Sequence, residues 1–139
     1  MNEVQKTLLL TGASRGIGHA TVSFFSERNW EIITCSREAP PEECLRDVNW
    51  SHHITTDLAD ASSIDAFIKE ANAFLGERPL HGLVNNAGWS PKSPIQERLG
   101  CLNGNLDAWR TVFELNFFAP LRLARGFASS LTKGKGSIV

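Results

Sequence analysis

The sequence lacks an excess of charge of either sign and lacks any long apolar run. Its 139 residues include 14 lysines and arginines against 15 aspartates and glutamates. This balance excludes the basic field that non-specific binding of nucleic acid or of an anionic membrane surface requires. No apolar stretch reaches the 18 residues of a membrane span, and the N-terminal residues lack the basic and apolar regions of a signal peptide. We therefore expect a cytoplasmic protein with neither nucleic-acid nor membrane partners.

Cysteine is scarce, and its spacing suits neither a disulfide framework nor a zinc site. The chain has only Cys35, Cys44 and Cys101, an odd number at wide intervals, so we expect reduced structural thiols. The neighbouring His52 and His53 fall in a predicted strand, where consecutive side chains point to opposite faces. They do not form a pair of ligands, and we predict no metal site.

The chain does contain a regular alternation of strand-length apolar runs with segments of helical period. This alternation predicts one α/β domain over residues 1–139, with a Rossmann-type, doubly wound parallel sheet. The predicted strands are 6–11, 30–35, 53–56 and 80–85, and a fifth strand starts at 137–139. The predicted helices are 17–28, 63–75 and 106–131, with a weakly helical link from 39 and a loop at 89–105.

The periodicity also predicts which residues face the sheet. In the first helix these are Ala20, Phe24 and Phe25, and the second helix is predicted to be capped by Asp60 or Ser62. Pro120 is expected to kink the long third helix. The predicted apolar face of that helix consists of Trp109, Phe113, Phe117, Pro120, Ala124 and Phe127.

Three glycines mark the point where the first strand hands over to the first helix. Side chains at Gly12, Gly16 and Gly18 would keep the backbone away from a phosphate, whereas the free N–H groups of the helix start attract one. Ser14 can add a hydroxyl donor and Arg15 a cation. The glycine turn therefore predicts a site for the pyrophosphate of a nicotinamide dinucleotide.

The same residues match a second motif, the nucleophile elbow of α/β-hydrolases. Residues 12–16 read Gly-x-Ser-x-Gly, and Ser14, Asp57 and His81 follow the chain order of a catalytic triad. An elbow needs earlier strands and an upstream oxyanion loop, whereas only five residues precede the predicted first strand. A serine hydrolase that uses Ser14 is therefore a minor alternative. A P-loop is excluded because no Lys-Ser or Lys-Thr follows the glycines.

The end of the second predicted strand indicates which dinucleotide is preferred. In this fold an acidic residue there accepts from the ribose 2′-hydroxyl, whereas an arginine pairs with a 2′-phosphate. The strand ends with Ser36 and Arg37, and Arg15 is expected to approach the same phosphate from the glycine turn. NADP(H) is therefore the preferred cofactor. NAD(H) is the alternative, because Glu38 follows directly.

Residues 11–18, Thr-Gly-Ala-Ser-Arg-Gly-Ile-Gly, and residues 85–88, Asn-Asn-Ala-Gly, resemble the signatures of the classical short-chain dehydrogenase/reductase family. The resemblance covers essentially the whole chain and implies hydride transfer between a nicotinamide and a small carbonyl or alcohol substrate. Together with the reasoning on the nucleotide, it gives the expected cofactor-binding residues: Gly12, Ser14, Arg15, Gly16, Ile17, Gly18, Ser36, Arg37, Asp57, Leu58, Asn86, Ala87 and Gly88.

The resemblance also implies individual roles. Asp57 would accept a hydrogen bond from the adenine amino group beside Leu58, and residues 86–88 would line a ribose. Asn116 matches the mid-helix asparagine of the family, whose backbone is implied to hold a water in a proton relay. Asn116 is thus the one expected catalytic residue, while a satisfied helix amide is the structural alternative.

The family's catalytic serine and Tyr-x-x-x-Lys pair are not present in the sequence, which contains no tyrosine. Hydride transfer to a carbonyl builds negative charge on oxygen and needs a proton donor. We therefore expect the cofactor-binding half of an oxidoreductase, truncated after the start of the fifth strand and not competent for turnover alone. The alternative is a non-catalytic NADP(H)-binding or regulatory module.

Two expectations concern the C-terminal part of the sequence. The loop before the long helix looks longer than is usual in the family, with residues 100–105 as the insertion. In the family, the helix corresponding to 106–131 commonly joins subunits, and its second face, with Leu115 and Phe118, needs cover. A homo-oligomer is therefore expected.

Overall fold

The computed structural model describes residues 5–40, 42, 50 and 52–139. A five-stranded sheet has the order β3-β2-β1-β4-β5, and every neighbouring pair is parallel. The strands are β1 (Thr7–Thr11), β2 (Glu31–Ser36), β3 (His52–Thr55), β4 (Gly82–Val84) and β5 (Ser137–Ile138). The helices are α1 (Gly16–Ser26), α2 (Ala61–Leu75), α3 (Leu106–Phe113), α4 (Ala119–Gly126) and α5 (Ala128–Gly134), with a π-helical turn at Glu114–Phe118. The predicted α/β class and doubly wound parallel sheet are confirmed.

The central strand β1 supplies apolar side chains to both faces of the sheet. All five of its residues are buried. Leu8 and Leu10 belong to the core on one face, and Leu9 belongs to the larger core on the other. Side chains alternate along a strand, so a continuous apolar run fits a strand that is covered on both faces. The chain order reverses at β1, because β2 and β4 lie on opposite sides of it.

The predicted inward face of the first helix is wrong in part. Gly18 and Val22 are the buried residues of α1, whereas Ala20 is exposed and half of the surface of Phe24 is exposed. Phe25 packs against the smaller core, as predicted. The close approach of Gly18 to the preceding turn fixes the rotation of the helix, and this contact is not visible in the apolar periodicity.

The second helix confirms the predicted cap. Asp60 precedes α2, and its carboxylate accepts from the Ser63 backbone N–H at 2.8 Å. Ser62 instead donates its hydroxyl to the same carboxylate at 2.6 Å. Hydrogen bonds to Ser62 and Ser63 lower the pKa of Asp60. The helix then buries residues at helical spacing against the larger core: Ile64, Phe67, Ala71 and Leu75.

The predicted long helix is broken, and its predicted apolar face is wrong in part, since only Ala124 and Phe127 of that face are in or against the larger core. The Ala119 N–H donates to the Glu114 carbonyl, a span of five residues that defines the π-turn. The π-turn lies before Pro120, and a second break falls at Phe127. The extra residue of a π-turn rotates the following residues relative to those before it. The side chains that face the core are therefore Ala119, Leu123, Phe127 and Leu131, while Phe113 and Phe117 are exposed.

The expectations for the cysteines and for the two irregular segments are confirmed only in part. Most of the weakly helical link and Cys44 lie outside the described residues. Cys35 is buried and Cys101 exposed, so of these two described cysteines Cys35 is the one that fits a structural role. Burial raises the pKa of the Cys35 thiol to about 12, which keeps it protonated at neutral pH. Residues 89–105 form a loop, as predicted, with one isolated bridge between Lys92 and Arg98.

Histidines 52 and 53 point to opposite faces of the sheet, as the strand prediction requires. His52 stacks on Phe74 of α2 with ring centroids 4.4 Å apart. The His53 Nδ1 atom lies 2.7 Å from the Thr34 hydroxyl, and its ring meets the Trp50 ring edge-on. Within the described ranges, no group of three or more His, Cys, Asp or Glu residues is placed to hold a metal ion. The helices found in those ranges include none long and apolar enough to cross a membrane.

Candidate functional site

A cleft of about 680 Å³ opens at the carboxyl ends of the parallel strands, where β1 separates β2 from β4. This is the position at which open α/β sheets bind ligands. Its walls come from the turn after β1, the ends of β2 and β3, the segment after β4 and the third helix. The cleft is lined by Gly12, Ser14, Arg15, Gly16, Ile17, Ser36, Arg37, Glu38, Thr56, Asp57, Leu58, Ala59, Asn86, Ala87, Gly88, Trp89, Thr111 and Leu115.

Two of the three glycines serve the packing of the turn. A Cβ on Gly18 would lie 2.1 Å from the Gly12 carbonyl oxygen, and one on Gly12 would lie 2.8 Å from the Ala87 Cα. Gly12 also has a φ of 70°, in the left-handed region. Gly18 is buried and does not line the cleft, so its predicted direct role in cofactor binding is not what the geometry supports. Gly18 instead allows α1 to pack closely against the turn.

Gly16 differs, because a Cβ there would meet no atom within 4 Å. Its φ is 58°, and it lies at the open start of α1. Arg15 makes no side-chain cap to this helix, and no acidic residue lies in its first turn. By contrast, Asp60 caps α2 and Asn105 caps α3. The start of α1 thus offers backbone N–H groups and the positive end of a helix dipole to the cleft, which is an arrangement suited to an anion.

The segment after β4 is tied directly to the glycine turn. The side-chain amide of Asn86 donates to the Thr11 carbonyl at 3.1 Å and to the Gly12 carbonyl at 3.0 Å. The Thr11 hydroxyl in turn accepts from the Ala87 N–H at 3.0 Å. These bonds hold residues 86–88 against the floor of the cleft. Asn86 is thus committed to shaping the site, with its Nδ2 already paired.

The two predicted phosphate-binding arginines both line the cleft. In the described part of the chain, neither the Arg15 nor the Arg37 side chain forms a hydrogen bond or an ion pair. The Ser36 hydroxyl, expected as a further donor, instead donates to the Glu38 backbone carbonyl at 2.5 Å. Glu38 also lines the cleft and adds an acidic residue to its wall.

Asp57 and Leu58 occupy different environments at the end of β3. The Asp57 side chain is exposed, and its Oδ1 accepts from the Ala59 N–H at 2.9 Å. Leu58 is only 6% exposed and belongs to the larger core while still lining the cleft. An acceptor beside an apolar wall suits an adenine ring, since the ring offers an amino donor and two apolar faces.

Asn116 does not line the cleft but clamps a residue that does. Its Oδ1 accepts from the Trp89 N–H at 2.9 Å, and its Nδ2 donates to the Trp89 carbonyl at 2.8 Å. The side chain therefore matches the alternative of a satisfied amide and fixes the start of the 89–105 loop. Pro120 has no N–H, so it cannot donate to the Asn116 backbone carbonyl four residues earlier.

The hydrolase alternative fails on geometry. The Nδ1 atom of His81 accepts from the Thr7 N–H at 3.0 Å, at the amino end of β1. Ser14 lies beyond the opposite end of that strand. A nucleophile and its base must be within hydrogen-bond reach, and β1 separates these two residues. Ser14, Asp57 and His81 therefore do not form a triad.

Several residues that line the cleft were not predicted: Glu38, Thr56, Ala59, Trp89, Thr111 and Leu115. Thr111 and Leu115 are four residues apart, which places them on one side of a helix. Their approach to the cleft depends on how the third helix docks, and no sequence motif signals it. Trp89 directly follows the Asn-Asn-Ala-Gly segment, so its place in the wall of the cleft could have been predicted from that motif.

Known proteins share this arrangement. The chain matches the short chain dehydrogenase family over residues 6–139. It is 46% identical over 135 residues to Protein FixR of Bradyrhizobium diazoefficiens, covering 96% of this chain and 49% of that protein. It is 33% identical over 143 residues to a fatty acyl-CoA reductase of Mycobacterium tuberculosis, covering 96% of this chain and 46% of the reductase. The chain spans about half the length of these curated relatives.

Solved structures agree in fold. An oxidoreductase from Brucella ovis, described as a complex with a partially ordered NAD, superposes with a TM-score of 0.87 at 46% identity, covering 97% of this chain and 61% of that one. A metagenomic short-chain oxidoreductase in complex with NADP has a TM-score of 0.76 at 27% identity, covering 96% of this chain and 60% of that one. The match over residues 6–139 and the parallel sheet with its glycine turn together show that the chain belongs to the short chain dehydrogenase family.

Proposed function

We propose that this protein is an NADP(H)-dependent oxidoreductase and that residues 1–139 form its NAD(P)-binding domain. The observation that carries the proposal is the start of α1, which has no side-chain cap and opens at Gly16 into the cleft. A bare helix start with an unobstructed glycine fits a pyrophosphate. The dinucleotide, when bound, supplies or accepts the hydride.

Successive groups of residues along the walls of the cleft suit successive parts of a dinucleotide. Ser14, Gly16 and Ile17 would hold the pyrophosphate at the helix start. Asp57 and Leu58 would receive the adenine. Asn86, Ala87 and Gly88 would line the ribose on the nicotinamide side, where hydrogen bonds to Thr11 of β1 hold this segment.

Preference for NADP(H) over NAD(H) is part of the proposal and rests on Arg15 and Arg37. Both arginines line the cleft and form no ion pair with another described residue, so a 2′-phosphate would pair with both. Removing Arg37 or Arg15 should weaken NADP⁺ binding roughly tenfold each and leave NAD⁺ binding nearly unchanged, as expected for one charge-assisted hydrogen bond.

Isothermal titration calorimetry with NADP⁺ and NAD⁺ tests this preference. Arg110→Ala is the matched control, because Arg110 is exposed, pairs with Asp107 and does not line the cleft. Equal affinity of the unaltered protein for NADP⁺ and NAD⁺ would contradict the preference and favour a role for Glu38 at the 2′-hydroxyl. Absence of binding to either dinucleotide would contradict the proposed function itself.

The substrate side of the proposal is coarser. We propose a small carbonyl or alcohol substrate and a proton relay in which the Asn116 backbone carbonyl holds a water, supported by the proline that cannot donate to that carbonyl. Oxidation of NADPH by a panel of ketones and aldehydes tests turnover. Binding without turnover across that panel would favour the second function, a dinucleotide-binding or regulatory module. Location in the cytoplasm stays a prediction of the sequence.

We also propose self-association through the outer face of the third helical region, by which we mean α3, the π-turn and α4 together. Phe113 is 58% exposed and Phe117 is 57% exposed, while Phe118 and Leu121 add further apolar surface. Leu115, expected on this face, instead packs partly against the larger core. Light scattering after size exclusion should give at least twice the monomer mass, and Phe117→Ser should reduce it. A monomer at all accessible concentrations would contradict this proposal.

A further inference from the structure

A continuous hydrogen-bonded chain lies behind the end of β2. The Thr34 hydroxyl lies 2.7 Å from His53 Nδ1, and His53 Nε2 lies 3.3 Å from the Ser36 hydroxyl. The Ser36 hydroxyl lies 2.5 Å from the Glu38 backbone carbonyl oxygen. Thr34 and Ser36 lie on the same face of β2, and His53 pairs with Thr34 across the parallel ladder.

With a neutral His53 ring, one assignment of protons satisfies every member of this chain. A carbonyl only accepts, so Ser36 must give its single proton to Glu38. The Ser36 oxygen then accepts from His53 Nε2–H, which leaves His53 Nδ1 as an acceptor for the Thr34 hydroxyl. In this assignment the neutral ring carries its proton on Nε2. Burial, as the main cause, lowers the pKa of His53, which agrees with a neutral ring at pH 7.

The chain fixes the residues on both sides of Arg37. Ser36 and the Glu38 carbonyl are tied to each other and to β3 through His53, so the intervening backbone has little freedom. The Arg37 and Glu38 side chains carry opposite charges and both line the cleft. Their placement relative to each other determines whether the site attracts or repels a phosphate. His53 itself does not line the cleft.

We propose that His53 is a positioning residue that sets the discrimination between a 2′-phosphate and a 2′-hydroxyl, by holding the turn of residues 36–38 through Ser36. This inference rests on the proposed dinucleotide function and adds a residue that acts on cofactor choice from behind the site. No sequence motif marks His53, because its role depends on the register of β2 and β3.

The test compares the ratio of dissociation constants for NADP⁺ and NAD⁺ in variants of the purified protein, measured by calorimetry. His53→Phe keeps an aromatic ring but removes both ring nitrogens, and His53→Gln restores a donor near the position of Nε2. The matched control is His52→Phe on the opposite face, where the ring stacks on Phe74 away from the cleft. A purely structural role would lower stability without changing the ratio.

We expect His53→Phe to weaken NADP⁺ binding relative to NAD⁺ binding roughly tenfold, the effect of one misplaced charge-assisted contact. His53→Gln should bring the ratio of dissociation constants most of the way back to that of the unaltered protein. The His52→Phe ratio should equal that of the unaltered protein. If both dinucleotides bind and the His53→Phe ratio equals the unaltered one, this inference is overturned while the proposed function stands. If the unaltered protein binds neither dinucleotide, the proposed function fails first.

Thr34→Val provides a second route should His53→Phe fail to fold. Valine has nearly the shape of threonine, and Thr34 is fully buried in β2 and does not line the cleft. Loss of its hydroxyl frees His53 to change tautomer, so the ratio should shift roughly threefold in the same direction. An unchanged ratio in folded Thr34→Val would overturn the inference.

Discussion

Replacing Gly16 by alanine separates the two roles that a glycine can have at the start of α1. Its φ of 58° disfavours alanine, but a Cβ there would contact no protein atom within 4 Å. Gly76, after α2, has a φ of 57° and equally open surroundings. It does not line the cleft. Gly76→Ala is therefore a control that places an alanine at a positive φ away from the site, although the Gly76 ψ of −127° lies outside the left-handed helical region.

The structure gives the expected magnitudes. Gly16→Ala should lower the free energy of unfolding by about 1 to 2 kcal/mol, the cost of a non-glycine residue at positive φ. Gly76→Ala should lower it by about 1 to 3 kcal/mol, because its φ of 57° and ψ of −127° are sparsely populated by residues with a Cβ. For Gly16→Ala the new methyl also occupies the space in which a phosphate approaches the helix N–H groups. NADP⁺ affinity should therefore fall at least roughly tenfold in Gly16→Ala and stay unchanged in Gly76→Ala.

Urea unfolding followed by circular dichroism measures the stability of both variants, and calorimetry measures NADP⁺ binding. If Gly16→Ala binds NADP⁺ as tightly as the unaltered protein does, the phosphate does not lie at the start of α1 and this prediction is refuted. A much larger loss of stability in Gly16→Ala than in Gly76→Ala would show that Gly16 has a packing role that the structure does not predict.

Three further predictions concern the stability of the site and of the sheet. Gly18→Ala should cost about 3 kcal/mol in urea unfolding, because its Cβ would lie 2.1 Å from a backbone carbonyl oxygen that cannot rotate away, and a loss under 1 kcal/mol would contradict this. Asn86→Asp should cost about 2 kcal/mol, since it turns a donor that faces the Thr11 and Gly12 carbonyls into an acceptor. The comparison is Asn85→Asp, because the Asn85 Nδ2 makes one longer hydrogen bond, at 3.3 Å to the Val139 carbonyl, among the described residues. Burial and the nearby Lys6 charge lower the pKa of His81 from 6.5, so the unfolded chain binds its proton more readily. Stability should therefore be constant above about pH 6.5 and fall as the pH drops below it, and His81→Asn, which keeps an acceptor for the Thr7 N–H, should reduce this fall.

The glycine turn and the succession of strands and helices along the chain could be predicted because both depend on local sequence. Gly16, Arg15 and the end of β2 are close to one another along the chain or joined by one crossover, so their motif positions translate directly into the cleft. The same holds for the Asp60 cap, which satisfies backbone groups three residues away.

The third helical region could not be predicted in the same way. Its apolar periodicity was interpreted as one continuous helix, whereas the π-turn at Glu114–Phe118 changes the phase midway. A π-turn has no composition signature of its own, and its consequence, that Phe113 and Phe117 face outward, appears only in three dimensions. The contact of Asn116 with Trp89 and that of His53 with Ser36 likewise depend on packing and register.

The complete burial of β1 has a consequence for motion. Its five amides lie between two neighbouring strands and beneath both cores, so they should exchange with solvent deuterium only when the whole domain unfolds. The loop at 89–105 makes few ties to that interior and should open at a much smaller free-energy cost. A ligand entering from that side would therefore meet a site whose floor is the most protected part of the molecule and whose rim can open without disturbing it.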